Sequence, residues 1–381
     1  MRVYTVRTAK STYNHTMNIE LGQKNCRLIC GSLRPIPACL WRSAFRWVES
    51  LCWIRPGYDL IHTFNAIPVA PMTPFIVTFE DYLPRLPPDR PSVGWIKHHL
   101  QRMLGSPSCR AILAMSHYAI QEFTKQNCTV PFFPLLQKKV RLCYPSVSLS
   151  ARRPKKLQGV KLRLMSVGKP FLRKGIPAVV MAHKLLKKEG IPVETTIVTP
   201  LNWSKDEYIG PNDEQLALQM RNEIVRSDIH LMRCLPNGEV LKLMAQHDFL
   251  LFPSFHDTFG YVAIESLSCA TPVIATNTCA LPEIIDHGKN GFLLPFQNDS
   301  ENLKWKWLYK KEHPDYCDAF MAQIKEFGAS IYETLTRFWQ ERSSYDELSA
   351  NALLKAQRMF NRESAAQFLE NLYEESVGSA V

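Results

Sequence analysis

No stretch of this 381-residue chain approaches the ~18 consecutive apolar residues of a membrane-spanning helix. The opening residues, MRVYTVRTAK, carry positive charge but no apolar core, so they do not read as a secretory signal. The 11 cysteines are odd in number and scattered, and no CxxC pair occurs. This argues for a reducing compartment and against a structural zinc site. Sequons such as Asn14-His15-Thr16 are then chance matches. No recognised nucleic-acid motif is present. Acidic excess is missing too: residues 1–150 hold 18 Lys+Arg against 7 Asp+Glu, the remainder 28 against 28, so the whole net charge of +11 lies in the first part. A basic part beside a neutral one suggests that the first meets an anionic surface, substrate or polymer. The expected location is cytoplasmic, dissolved or peripheral at the inner face of a membrane.

What is present is an ordinary globular composition, 46% hydrophobic and 21% charged. The length suits two domains, since single cores stop growing near ~250–300 residues. Residues 2–7 and 25–31 read as strands, as do 60–64, 75–79, 111–116 and 140–145. The stretch 40–53 places Trp41, Phe45, Val48 and Cys52 on one helical stripe, and 95–104, WIKHHLQRML, is a second basic, aromatic-tipped helix. Two readings of these helices stand side by side, packing on a sheet or lying on an anionic bilayer. Residues 150–158, SARRPKKLQ, combine charge with Pro and lack apolar periodicity, which marks an interdomain linker. The expected division is a first domain over 1–150, a linker over 151–158, a second domain over 159–355 and a closing helix over 356–381.

The chemistry concentrates in residues 248–265, DFLLFPSFHDTFGYVAIE. Asp248–Phe252 reads as a strand buried on both faces, stopped by Pro253-Ser254. The ligand crevice of an open parallel sheet lies at such strand ends. Thr258 is expected to cap a helix opening at Phe259-Gly260, where free N–H groups and the helix dipole favour an anion such as phosphate. Asp257 sits beside that site. Glu265 lies further along the helix, on the order of 10 Å away, sharing a face with Tyr261. The spacing suits gripping two ends of one elongated ligand, but it also suits two solvated acids on any strand-turn-helix. Upstream, Gly168-Lys169-Pro170-Phe171-Leu172-Arg173-Lys174-Gly175 is a basic, Gly-bounded loop between a strand and the helix from Ile176. Two lysines there are well placed to neutralise a diphosphate.

The carboxylate-x7-carboxylate run of Asp257 and Glu265, with the loop holding Lys169 and Lys174, resembles the retaining glycosyltransferases of family 4 (glycosyl transferases group 1). The resemblance is strong over 161–295, fair over 58–145 and weak elsewhere. It implies an α/β, GT-B architecture: two Rossmann-like doubly wound domains facing across a cleft, the last helix crossing back to the first. It implies that Glu265 holds the ribose hydroxyls and Asp257 the sugar. Gly168 and the backbone of Phe259, Gly260 and Tyr261 would line the donor, and Lys174 and Lys169 would face its diphosphate. On the acceptor side the resemblance points to Glu80, where the family often has His, to Asp81 and more weakly to His62. Departures are Asp257 for the usual Glu, Lys169 for an Arg, Ala270 and Cys279-Ala280 where the family commonly has Gly, and no Gly-rich loop after the first strand.

The implied activity is transfer of a hexosyl group from a nucleotide-diphosphate sugar, with retention, to a saccharide or lipid-linked acceptor in cell-surface polysaccharide or glycolipid synthesis. No cofactor and no metal is expected, and nucleic acid is not an expected partner. Two alternatives remain at this point: a nucleotide-sugar epimerase or hydrolase of the same fold, and a non-catalytic protein binding an anionic polymer.

Overall fold

The computed structural model describes residues 1–7, 27–32, 51–52, 57–68, 73–86, 94–149, 152–157, 160–299 and 303–378. The chain divides into two units, Met1–Val147 with Phe360–Val381, and Ser148–Met359.

The first unit carries β1 (Arg2–Arg7), β2 (Arg27–Ser32), β3 (Leu51–Cys52), β4 (Leu60–Phe64), β5 (Ile67–Pro68), β6 (Phe75–Phe79), β7 (Cys109–Ala114) and β8 (Val140–Leu142). Six of these form a parallel sheet in the order β2-β1-β4-β6-β7-β8, and β3 pairs with β5 apart from it. Counted along the chain the sheet reads 2-1-3-4-5-6, so its order reverses between β1 and β4. LIHTF of β4 and FIVTF of β6 are buried at every residue, as a sheet covered on both faces requires. The helix α1 (Gly94–Gly105) buries Ile96, Leu100 and Leu104, one turn apart, and leaves Trp95 61% exposed. The next helix, α2 (His117–Asn127), starts at Ser116, whose Oγ accepts the Ala119 N–H at 3.0 Å. A short α3 (Phe133–Lys139) precedes β8. Of the helix expected over 40–53, only 51–52 are among the described residues. Those two are extended, because the backbone of β5 offers them ladder partners.

The second unit alternates β9 (Leu162–Val167), α4 (Ile176–Lys188), β10 (Val193–Val198), α5 (Glu214–Arg226), β11 (His230–Met232), α6 (Asn237–Gln246), β12 (Phe249–Phe252), α7 (Tyr261–Ser268), β13 (Val273–Thr276), α8 (Leu281–Ile284) and β14 (Gly291–Leu294). Its parallel sheet runs β11-β10-β9-β12-β13-β14, the 3-2-1-4-5-6 order of nucleotide-binding sheets. The reversal falls between β9 and β12, so the crevice at their carboxyl ends is where a ligand binds in such a sheet. Two longer helices, α9 (Tyr316–Gln340) and α10 (Tyr345–Met359), complete this unit. The last helix, α11 (Arg362–Gly378), belongs to the first unit, packing Leu369, Leu372 and Tyr373 with Val3, Leu60 and Ile76.

An aromatic seam anchors the edge of the crevice. Phe255, fully buried just after β12, meets Trp305, Phe320 and Phe327 with ring centroids 4.7, 4.9 and 5.1 Å away. Residues 152–157, expected as part of a linker, are instead held by the second unit. The Lys155 N–H donates to Ser349 Oγ at 2.7 Å, and its ammonium to Thr271 Oγ1 at 2.7 Å and to the His247 carbonyl. That carbonyl lies at the C-terminus of α6, where partial negative charge attracts a cation. Composition alone cannot separate such an anchored segment from a spacer. Ala270 and Cys279, where the resemblance leads one to expect Gly, do lie in the left-handed region, at φ 55 and 49.

Candidate active site

The crevice is framed by two loops, 168–175 after β9 and 253–260 after β12. They are sewn together by the Phe255 N–H donating to the Arg173 carbonyl at 2.9 Å, and by Arg173 Nη1 donating to the His256 carbonyl at 2.8 Å. Gly175, at φ 65, permits this closeness. A Cβ there would lie 2.1 Å from the Pro253 oxygen.

Lys174 crosses over Gly168, whose absent side chain leaves it room, since a Cβ would stand 2.4 Å from Lys174 Cγ. The Lys174 ammonium is buried, pairs with the Asp257 carboxylate and lies 4.7 Å from the Phe252 ring centroid. Burial lowers its pKa to about 8, and the charge of Asp257 opposes that fall. Burial would raise the Asp257 carboxyl, but the positive charges of Lys174 and Arg173 outweigh it and hold the group below the ordinary carboxylate range. Each ion therefore keeps the other charged. Lys169 stands at the exposed mouth of the same loop.

The helix α7 begins two residues later than a Thr258 cap would place it. Its N-cap is Gly260, at φ 93, and no side chain caps it. Phe259 is buried beside Tyr261, with centroids 5.4 Å apart, so the chain must turn at Gly260, where a Cβ would meet Leu281 Cδ2 at 2.6 Å. An uncapped helix start beside a buried lysine is a place suited to a bound anion. Glu265 is buried along α7, and its Oε1 accepts the Asn237 Nδ2 hydrogen bond at 2.8 Å. Burial raises its pKa, partly opposed by that bond.

Of the sequence-predicted residues, Lys174, Asp257 and Gly168 are brought into contact, and Gly260, Tyr261 and Glu265 share α7 and its cap. Glu80, Asp81 and His62 belong to the first unit. Glu80, just past β6, accepts from Arg85 Nη2 at 2.6 Å and Asn65 Nδ2 at 3.4 Å, and Asp81 is buried. His62 is buried inside the first unit. It is 1% exposed, with Nδ1 bonded to Tyr373 Oη at 2.6 Å and Nε2 to Thr78 Oγ1 at 2.7 Å. Burial lowers its pKa to about 3, so it is a neutral packing histidine that ties β4 to α11.

Sequence reasoning missed Asn237, which positions Glu265, and the group formed by Arg173, His256 and Tyr208. Tyr208 Oη lies 3.1 Å from His256 Nδ1, and the Arg173 guanidinium lies 5.7 Å from the Tyr208 ring centroid. Arg173 carried a signal in its position beside Lys174. Tyr208 sits in a long polar loop and carried none.

Residues 150–326 match the family model described as glycosyl transferases group 1. An uncharacterized glycosyltransferase of Methanocaldococcus jannaschii is 31% identical over 36% of this chain and 39% of its own length. O-antigen chain mannosyltransferase B of Escherichia coli is 30% identical over 41% of this chain and 39% of its own. The matched stretches thus span about two fifths of these relatives. The structure of Anabaena HepE in complex with UDP superposes with a TM-score of 0.60 at 13% identity, over 98% of this chain and 99% of that one. Residues 150–326 are thus similar to the glycosyl transferases group 1, and the two parallel-sheet units have the GT-B fold.

Proposed function

We propose that the protein transfers a hexosyl group from a nucleoside-diphosphate sugar to a saccharide or lipid-linked hydroxyl, with retention of anomeric configuration, in the synthesis of a surface polysaccharide or glycolipid. The observation that carries this reading is the buried Lys174 ammonium beside the uncapped start of α7, at the point where the strand order reverses. Relatives named for O-antigen and colanic acid synthesis support the polysaccharide setting. We place the work in the cytoplasm, with peripheral attachment to an anionic inner membrane face through the basic first unit and its exposed Trp95. No described helix is long and apolar enough to cross a membrane.

In this reading Glu265 accepts the ribose hydroxyl hydrogens. Lys174, Lys169 and the α7 amides surround the diphosphate, stabilising its charge as it departs. The bond between the anomeric carbon and the phosphate oxygen breaks, and the acceptor oxygen forms its bond on the same face. The acceptor proton passes to the departing phosphate oxygen. Asp257 orients the sugar and stabilises its developing positive charge. A double displacement would need two carboxylates ~5 Å apart across the reacting bond. Asp257 and Glu265 are instead separated along α7 and its preceding turn, which favours the front-side route.

The test is a thermal-shift screen with nucleoside diphosphates and nucleotide sugars. At least one should raise the melting temperature of the wild type, and the rise should vanish in Lys174→Ala and Glu265→Ala. If no nucleotide stabilises the wild type, the donor-site reading fails.

A further inference from the structure

A second pocket, of about 310 Å³, opens in the first unit near the amino-terminal ends of β7 and β8, on the side of the sheet away from its strand carboxyl ends. Its size falls within the about 300–1,000 Å³ typical of small-ligand sites. Three cations line it, Arg110, Lys139 and Arg141, against one acid, Glu375. Arg141 Nη1 meets Glu375 Oε2 at 3.0 Å, which pairs that acid at the rim. Lys139 Nζ donates to the Leu104 and Ser106 carbonyls at 3.0 and 2.6 Å. Those bonds satisfy two of its protons but bring no negative ion. Burial, and the like charge of Arg110, lower the Lys139 pKa below the usual lysine range. Arg110 itself is half-buried and makes no side-chain hydrogen bond or ion pair with any described residue, although its Nε is shielded from solvent. The nearby Ser376 hydroxyl turns back to the Leu372 carbonyl at 2.6 Å.

An Nε–H shielded from water with no partner among the described residues, in a pocket where three cations face one acid, is unfavourable unless an anion completes the group. We propose that this pocket binds a phosphate group. The fork of Arg110 is the principal ligand, with the third N–H of Lys139 and the outer edge of Arg141 beside it. A free phosphorylated molecule and a phosphomonoester lipid head group share this chemistry. The site is separate from the donor crevice, which belongs to the other unit.

Inorganic phosphate is titrated into the full-length protein at constant ionic strength, read by thermal shift, alongside flotation with phosphatidylcholine vesicles containing or lacking phosphatidic acid. Wild type is compared with Arg110→Gln and Arg110→Lys. Arg110→Gln should weaken phosphate binding about tenfold or more, and Arg110→Lys should recover part of it. The same Arg110-dependent difference in a Lys174→Ala background separates this pocket from the donor site. Phosphate binding assigns a free ligand. Arg110-dependent flotation that survives Trp95→Ala, without phosphate binding, assigns a lipid head group. The proposal is overturned if wild type binds neither probe, or if Arg110→Gln binds both as wild type does. Should Arg110→Gln fail to fold, the partly exposed Arg141→Gln replaces it, with weakening expected in the same probe and no change counting against the site.

Discussion

Replacing Asp257 by Asn removes the charge that keeps Lys174 protonated while leaving its shape. Burial brings the Lys174 pKa to about 8 with Asp257 in place, so about nine-tenths of the lysine is charged at pH 7. An adjacent opposite charge ordinarily moves a pKa by about 1–3, so without Asp257 the lysine falls to about 5–7. In Asp257→Asn a nucleoside diphosphate then meets a largely neutral lysine at pH 7.5. The assay is the pH dependence of diphosphate affinity, because binding can be followed when transfer is slow. Wild-type affinity should fall as pH rises through about 8. Asp257→Asn should approach wild-type affinity only at acidic pH and lose it about one to three pH units earlier. The sign is fixed by Lys174 being the group that must carry a proton. An Asp257→Asn profile that overlays the wild type would refute the claim that the two ions sustain one another.

Three further outcomes can be checked. Asn237→Ala leaves Glu265 buried without its amide donor, so the Glu265 pKa should rise further and nucleotide binding should weaken as pH falls; unchanged binding at pH 5 would contradict this. Ala270→Gly relieves a left-handed alanine and should stabilise the protein toward denaturant by up to about 1 kcal/mol, whereas Gly175→Ala should destabilise it by at least about 1 kcal/mol, since its Cβ meets the Pro253 carbonyl. His62, with a pKa of about 3 against 6.5, refuses a proton that the unfolded chain accepts. Between those values stability should therefore fall as pH falls, by about 1.4 kcal/mol per pH unit. The slope between pH 6.5 and 5 should be shallower in His62→Gln, and an equal slope would exclude His62 as its source.

Sequence by itself determined the strand runs and their order. LIHTF, FIVTF and FLLF are apolar enough to be central strands in any covered sheet, and local composition sets this. It also brought out the lysine loop and the spacing of Asp257 and Glu265, because strand-turn-helix signals are carried by neighbouring residues. Thr258 was misjudged as a cap because its side chain fits the role locally. The burial of Phe259 and the approach of Leu281 moved the helix start to Gly260. The segment around Lys155 read as a spacer because its partners, Thr271 and Ser349, are more than a hundred residues away. His62 was only a weak acceptor-side candidate, and the partner that holds its Nδ1, Tyr373, comes from the far end of the chain. The pairing of Lys174 with Asp257, the support of Glu265 by Asn237 and an Arg110 with no partner among the described residues share one cause. Each depends on which distant residues surround a charge, and that is decided only when the sheets assemble and withdraw those groups from water.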